Sequence, residues 1–247
     1  NFRGLFANVR LGYTKNRITT SNFVDPVSFI RTSTPLNTEN EKTLSGSFNY
    51  TSPLNAIKAK YRLGLNSSLT NGINFINQTP NIIDRWSHGG SFTLENKLKS
   101  RVDISGTARL SYNTNIYKSN ENLNTEFLNQ TYEGFLAVYP GKDWAIDTRM
   151  EYNIYGQGSF DSSTKVALWQ ASVSKGFMKN KVNVKLRVFD ILNQNQGVSR
   201  SASETFISNS VSNTIGRYFM LNVTYSLNSL GGQQQQSQVP THIMIRQ

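Results

Sequence analysis

The sequence has 247 residues, of which 37% are hydrophobic, 11% aromatic and 17% charged, with no cysteine and a formal net charge of +11. The lack of cysteine excludes disulfides, thiolate metal sites and cysteine nucleophiles, and the 28 aromatic residues are too many for a chain disordered throughout. Ala, Leu, Glu and Lys do not prevail, which disfavours a helical bundle. No run approaches the roughly 18 apolar residues that a membrane-spanning helix needs.

Apolar and polar residues alternate along most of the chain. In the segment from Leu5 to Tyr13, for example, every second residue is apolar and the residues between them are Phe6, Asn8, Arg10 and Gly12. This period of two is typical of strands with one apolar and one polar face. The pattern predicts ten strands, at 2–19, 42–52, 56–70, 85–99, 102–117, 126–139, 143–156, 164–178, 181–193 and 213–228.

Short turns alternate with longer polar stretches between these strands. Short turns are expected at 52–55, 99–101, 140–143 and 178–181, and long polar connections at 19–42, 70–84, 114–126, 156–164 and 193–213. The segments exceed the 9–11 residues with which a strand crosses a bilayer, and aromatic residues such as Tyr139 and Trp144 gather near the short turns. We therefore predict an all-β, antiparallel transmembrane β-barrel. A soluble β-sandwich or other soluble binding module is the disfavoured alternative.

The two faces of such strands have different expected surroundings. A charge on the lipid side near the bilayer midplane costs about 2–4 kcal/mol, so the charged face is expected to line an aqueous lumen. Basic residues there could contact an anionic solute or a plug domain, or they could have no ligand and be tolerated because the wall is hydrated. The lumen would also contain Asp103, Asp147, Arg149 and Glu151. The predicted lumen-facing basic residues are Arg10, Lys58, Lys60, Arg62, Arg109, Lys185 and Arg187, and the predicted lipid-facing residues are Leu63, Leu65, Val184, Leu186, Phe219, Leu221 and Val223.

The C-terminal part carries a more specific pattern. Val188 to Asn195 reads VFDILNQN, Ser199-Arg200-Ser201 follows, and Gly216 to Leu227 reads GRYFMLNVTYSL. These segments resemble the closing strand pair of the outer-membrane β-barrel family of TonB-dependent-receptor type found in Bacteroidota. The close resemblance covers residues 188–227, and the rest of the chain agrees with the family in its barrel patterning.

This resemblance implies a 22-stranded barrel with an N-terminal plug, supplied with energy by the periplasmic TonB system. The chain starts within a strand at Asn1, without Met or a signal sequence, and has no recognisable plug or TonB box, so we expect the C-terminal portion of a larger barrel. A complete ten-stranded barrel is the alternative. The expected domains are a barrel over 1–228 and a flexible Gly/Gln-rich tail over 229–247.

The expected function is transport of a solute across the outer membrane of a Gram-negative bacterium. The alternative is a structural or accessory barrel subunit that docks envelope partners through its loops or tail. Expected partners are membrane lipid and lipopolysaccharide, the TonB system, and a surface lipoprotein or another envelope subunit. We expect no nucleic acid partner, because Lys and Arg interleave with Val, Ile and Leu on alternating parity and no RNP-like motif occurs. We expect no metal or other cofactor and no enzyme activity, because the two histidines, His88 and His242, lie far apart and no residues have metal-ligand or triad spacing.

Overall fold

A computed structural model describes residues 3–76, 79–96, 101–158, 164–195, 197–202, 207–212 and 214–226. Two 3₁₀ turns occur in this part of the chain, at Asn55–Ile57 and Glu121–Leu123. No helix in the described ranges is long and apolar enough to span a membrane. The strands are β1 (Gly4–Thr14), β2 (Ile18–Val24), β3 (Arg31–Asn37), β4 (Glu41–Leu54), β5 (Ala59–Ile76), β6 (Thr79–Asn96), β7 (Val102–Tyr117), β8 (Thr125–Val138), β9 (Trp144–Gly158), β10 (Thr164–Phe177), β11 (Val182–Phe189), β12 (Val198–Ala202), β13 (Ile207–Val211) and β14 (Tyr218–Tyr225).

Ten of these strands form one continuous path in the order β1-β4-β5-β6-β7-β8-β9-β10-β11-β14, and each neighbouring pair is antiparallel. The ten correspond to the ten predicted strands, so the all-β antiparallel prediction is confirmed. The hairpin β2–β3 joins the sheet through a short parallel pairing of β2 with β5, and β12–β13 form a separate two-stranded sheet. Within the described residues the main sheet is open, with β1 and β14 at its edges.

Three stretches expected to be long connections contain strands instead. Residues 19–42 hold the β2–β3 hairpin, 193–213 hold β12–β13, and most of 70–84 belongs to β5 and β6. The β5–β6 ladder continues until Ile76 faces Thr79. The β2–β3 hairpin was missed because most of its residues are polar on both faces, which leaves no alternation in the sequence. The extension of β5 and β6 does contain apolar residues, and Ile73 faces Ile82, so the connection predicted at 70–84 was too long.

The start of β5 also differs from its prediction. β4 continues to Leu54, a 3₁₀ turn follows, and β5 begins only at Ala59. Lys58 has a φ of 51°, in the left-handed region, so it ends the turn. The prediction that Lys58 projects from a strand face with the other basic residues is therefore wrong.

The register shows that the strands are tilted relative to their turns. A row of cross-strand partners runs from Tyr61 through Leu94, Gly106, Gly134 and Met150 to Trp169. Tyr61 lies two residues from the turn-proximal end of β5, whereas Trp169 lies eight residues from the corresponding end of β10. Across these five strand-to-strand steps, the distance from the turn-proximal end of the strand grows from two residues to eight. With about 3.3 Å per residue and about 4.8 Å between strands, this increase corresponds to a tilt of about 40° if the turns lie at one level. Barrel strands in outer membranes tilt by about 35–45°.

The apolar face of the sheet has no second protein layer among the described residues. Val9 is 75% exposed, Ile104 52% and Leu221 66%, although all three belong to the apolar face. A soluble sandwich would bury these side chains against another sheet. The buried hydrophobic residues in the described part are only Ala59, Ile83, Tyr117, Ala137, Val166 and Ala167. Ile83 and Tyr117 face each other where β6 and β7 extend away from the tight turns.

Candidate functional site: the polar face of the sheet

Cross-strand partners lie on the same face of a sheet, so the register assigns a face to every residue of the ten strands. Six of the seven predicted basic residues share the polar face, and the exception is Lys58 in its turn. All seven residues predicted to face lipid share the opposite, apolar face. Their contact with lipid, and the contact of the basic residues with a solute or plug, stay predictions.

Glu95 organises the first group of charges on the polar face. Its carboxylate lies 2.9 Å from Lys60 Nζ and 3.2 Å from Arg62 Nη2. The side chain of Glu95 is 15% exposed, so both cations neutralise a largely covered carboxylate. Two of the predicted basic residues are therefore already paired within the wall.

Glu133 forms a second group between β7 and β9. Arg109 Nη1 lies 3.4 Å from one carboxylate oxygen of Glu133, and Arg149 Nε lies 3.5 Å from the other. The Arg149 guanidinium also lies over the Phe135 ring, 5.5 Å from its centroid. One carboxylate thus bridges cations from the two strands that flank its own.

Asp147 forms a third group near the edge of the sheet. Lys185 Nζ lies 3.1 Å from Asp147 Oδ1, and the Ser172 hydroxyl donates a hydrogen bond to the same oxygen. Arg187 is arranged differently, with its guanidinium 5.3 Å from the centre of the Phe189 ring. A cation on an aromatic face keeps its charge, so Arg187 remains a positive point on this wall.

The polar face is close to neutral overall. Asp103, Asp147 and Glu151 share it with Arg149, as the sequence predicted. Glu95 and Glu133, which blur the alternation in the sequence, also fall on it, because the register fixes their parity relative to neighbouring strands. The basic residues of this face are Arg10, Lys60, Arg62, Arg85, Arg109, Arg149, Lys185 and Arg187, and the acidic ones are Glu41, Glu95, Asp103, Glu133, Asp147 and Glu151.

Aromatic residues occupy the apolar face at two levels. On β9, Trp144 and Tyr152 lie eight residues apart, and on β10 Phe177 and Trp169 have the same spacing. Eight residues span about 26 Å along a strand, or about 20 Å across the membrane at a tilt near 40°, close to the apolar band of about 25 Å between the aromatic girdles of outer-membrane barrels. The spacing therefore suits an outer membrane.

The segment after β11 has a defined structural role. Asp190, with φ of 48°, and Asn193, with φ of 54°, adopt left-handed backbone conformations that Asp and Asn tolerate better than most residues. The buried Asp190 carboxylate accepts the amides of Gln194 at 2.9 Å and Asn195 at 3.0 Å. Asn193 Oδ1 accepts the amide of Arg217 at 3.0 Å, which joins the two ends of the connection between β11 and β14.

The described residues contain no group of three or more His, Cys, Asp or Glu side chains that could hold a metal ion. His88 Nδ1 shares a hydrogen bond of 3.0 Å with the Ser67 hydroxyl, and its ring stacks on Trp86 with centroids 5.7 Å apart. His242 and the predicted tail over 229–247 lie outside the described residues.

A single layer of tilted antiparallel strands, apolar on one face and charged on the other, defines the wall of a transmembrane β-barrel. The family comparison agrees: the chain belongs to the outer membrane protein beta-barrel family, whose model matches residues 65–225. The protein is therefore located in the outer membrane of a Gram-negative bacterium. No curated protein and no solved structure matches the chain.

Proposed function

We propose that this chain forms part of the barrel wall of a TonB-dependent transporter or receptor, which moves a solute across the outer membrane without chemically changing it. The observation that carries the proposal is the charged polar face, together with the resemblance of residues 188–227 to the closing strands of that family. We also propose that the protein comes from a bacterium of the Bacteroidota, the group in which the resembling family is found.

The pairing of charges suggests what kind of solute the wall accommodates. Glu95, Glu133 and Asp147 each lie within 3.5 Å of at least one cation, so the wall presents alternating charges. A pathway must bind its solute weakly enough to release it. Such a wall suits a polar solute of low net charge, or a plug with a mixed surface, better than a strongly anionic solute.

The free edges of the sheet support a larger barrel. In the part of the chain that the structure describes, β1 pairs only with β4, and β14 pairs only with β11. Backbone groups in hydrocarbon must all be paired, so a sheet that crosses a membrane has to close. We propose that further strands, up to the 22 that the resemblance implies, join these two edges.

An exposed apolar tip favours the second candidate function, a structural or accessory subunit of an envelope complex. Between β2 and β3, Val27 is 87% exposed, Phe29 79% and Ile30 64%, at the end of the sheet opposite the tight turns. Clustered apolar side chains at a hairpin tip are typical of protein docking sites. A surface lipoprotein is the partner proposed for this tip.

Solute uptake by whole cells separates the two candidates. A strain that lacks the gene and a strain that lacks TonB should lose uptake of the same solute from a panel of labelled nutrients. Loss in the gene deletion alone would overturn TonB dependence, and unchanged uptake of every solute would overturn transport. For the second candidate, V27S/F29S/I30S should abolish co-purification of a lipoprotein while uptake persists.

A further inference from the structure

The net positive charge of the protein is concentrated at one end of the sheet. We define the tight-turn rim as the described residues in and beside the turns that join β4 to β5, β6 to β7, β8 to β9 and β10 to β11, with the adjoining end of β1. Leaving aside the residues of the polar face, such as Glu95 and Asp103, the described part of the rim has one acidic residue, Asp143. Its basic residues are Arg3, Lys58, Arg101, Lys142, Lys175, Lys179 and Lys181.

The cations of the tight-turn rim are not neutralised by described residues. None of the seven takes part in an ion pair with them, and all except Lys175 are exposed. The polar face differs, because five of its cations are paired with Glu95, Glu133 or Asp147. The rim therefore has a positive potential that the wall lacks.

The opposite end of the sheet is nearly balanced. Arg17 pairs with Glu41, and Lys118 Nζ lies 3.4 Å from Asp84. Among residues with described side chains, and leaving aside those on the polar face, the basic residues at this end are Lys15, Arg17, Arg31, Lys42, Lys118, Lys165 and Arg217, and the acidic ones are Asp25, Glu39, Asp84, Glu121, Glu126 and Asp190.

Apolar and aromatic side chains accompany the cations at the tight-turn rim. Lys175 Nζ lies 4.7 Å from the centre of the Trp144 ring and 5.1 Å from that of Phe177. Ile57 is 64% exposed and Met178 72%, each within a residue of an exposed lysine. Lysines beside exposed apolar side chains are typical of the membrane interface, where the apolar part enters lipid and the ammonium group reaches the headgroups.

We infer that the tight-turn rim binds the phosphate groups of anionic phospholipids in the leaflet that faces the periplasm. In outer-membrane barrels the short turns are periplasmic and the long loops extracellular, so these cations meet phospholipid and lie away from lipopolysaccharide. The inference rests on the outer-membrane location and not on transport.

An acidic protein partner fits these observations less well. Lys175 projects from the apolar face, as its register with Trp144 and Val184 shows, and that face meets the bilayer in a transmembrane barrel. A periplasmic protein would approach from below the turns, where it could not reach Lys175 without entering the headgroup region.

The three tryptophans allow a direct test. In the full-length protein, W86F/W169F leaves Trp144 at the tight-turn rim, and W86F/W144F leaves Trp169 at the other aromatic level. Each variant is reconstituted into phosphatidylcholine vesicles that contain phosphatidylglycerol, with bromine on the acyl chains of one lipid or the other. Trp144 should be quenched several-fold more by brominated phosphatidylglycerol at equal mole fraction, and 1 M salt should remove the excess. Trp169 should show no such preference.

Two sets of lysine substitutions complete the test. K142Q/K175Q/K179Q/K181Q should abolish the lipid preference at Trp144, whereas K15Q/K42Q/K118Q/K165Q lowers the net charge equally at the opposite end and should leave it intact. Equal quenching by both lipids, or a preference that survives the first set, would overturn the inference. Loss of an acidic co-purifying protein with the first set, without any lipid preference, would assign the rim to a protein partner. A heat-dependent shift in gel mobility verifies that each variant is folded.

Discussion

The carboxylate of Asp190 accepts a hydrogen bond from the backbone amide of Asn195, five residues later, at 3.0 Å. The same carboxylate accepts the amide of Gln194, and Asp190 as a whole residue is only 7% exposed. The conspicuous sequence motif after β11 therefore folds the chain back against β10 and β14, where the amide of Ile191 reaches the carbonyl of Trp169 at 2.7 Å. Its role in this structure is to shape the end of the wall.

We expect D190A to lower the free energy of unfolding by about 2–3 kcal/mol, because two amides lose a charged acceptor and alanine disfavours a left-handed backbone. D190N should cost less, since an amide oxygen still accepts one bond and Asn tolerates this conformation. Urea titration of the protein in lipid vesicles measures both variants. Equal stability of D190A and the parent protein would show that the turn does not depend on this carboxylate.

The strands could be predicted because one face had to be apolar. A strand with one apolar face shows alternating apolar and polar residues in its sequence, and the ten strands of the main path were predicted for that reason. The hairpin β2–β3 was missed because Thr19, Thr20, Ser21 and Asn22 give no alternation. Its contacts are polar instead, such as the hydrogen bonds that Arg31 and Ser33 donate to Asn22.

The charge balance of the candidate site required the register of the strands. The sequence predicted basic residues on one face, but whether Glu95 and Glu133 joined them depended on pairing across several hairpins. For the same reason, the end of the sheet that carries most of the net charge of +11 could not be predicted from the sequence. The register separates a nearly neutral wall from a basic rim.

Water accessibility of neighbouring β5 residues tests the assignment of the two faces. The sequence contains no cysteine, so single cysteines can be introduced without background. Leu65 and Asn66 are both exposed in the structure but lie on opposite faces. In intact outer membranes, N66C should react with a water-soluble maleimide at least tenfold faster than L65C, because lipid shields the apolar face and keeps its thiol protonated.

Both variants should react equally after denaturation in detergent, which controls for expression and intrinsic reactivity. Fast labelling of L65C in folded protein would mean that water reaches the apolar face. That outcome would contradict its assignment to lipid.

The tip of the β2–β3 hairpin should depend on pH. The amides of Ser28 and Val27 donate hydrogen bonds to Asp25 Oδ1, both at 2.8 Å, and they lower the pKa of this carboxyl. Because the pKa in the folded turn lies below that of the unfolded chain, ionisation stabilises the turn above the ordinary aspartate pKa. This contribution is lost as the pH falls through the lowered, folded value.

Carbon-detected NMR of the Asp25 carboxyl should therefore give a titration midpoint below that of an exposed aspartate. Replacement of Ser28 by alanine should raise the midpoint, because the Ser28 hydroxyl also stabilises the carboxylate. D25N should remove the pH dependence of the turn. A midpoint at the ordinary value would show that these amides do not hold the carboxylate in solution.

The ion pair between Lys185 and Asp147 should contribute a measurable coupling energy. Its side chains are 25% and 26% exposed, so water screens the pair only in part. A double-mutant cycle of D147N and K185M should give about 0.5–1 kcal/mol, at the upper end of values for accessible pairs. Arg187 provides the matched control, because it lies on the same face and strand but contacts the Phe189 ring. R187M should couple to D147N by less than about 0.3 kcal/mol. Equal coupling energies of Lys185 and Arg187 to Asp147 would mean that the overall charge of the polar face, rather than a specific ion pair, stabilises the protein.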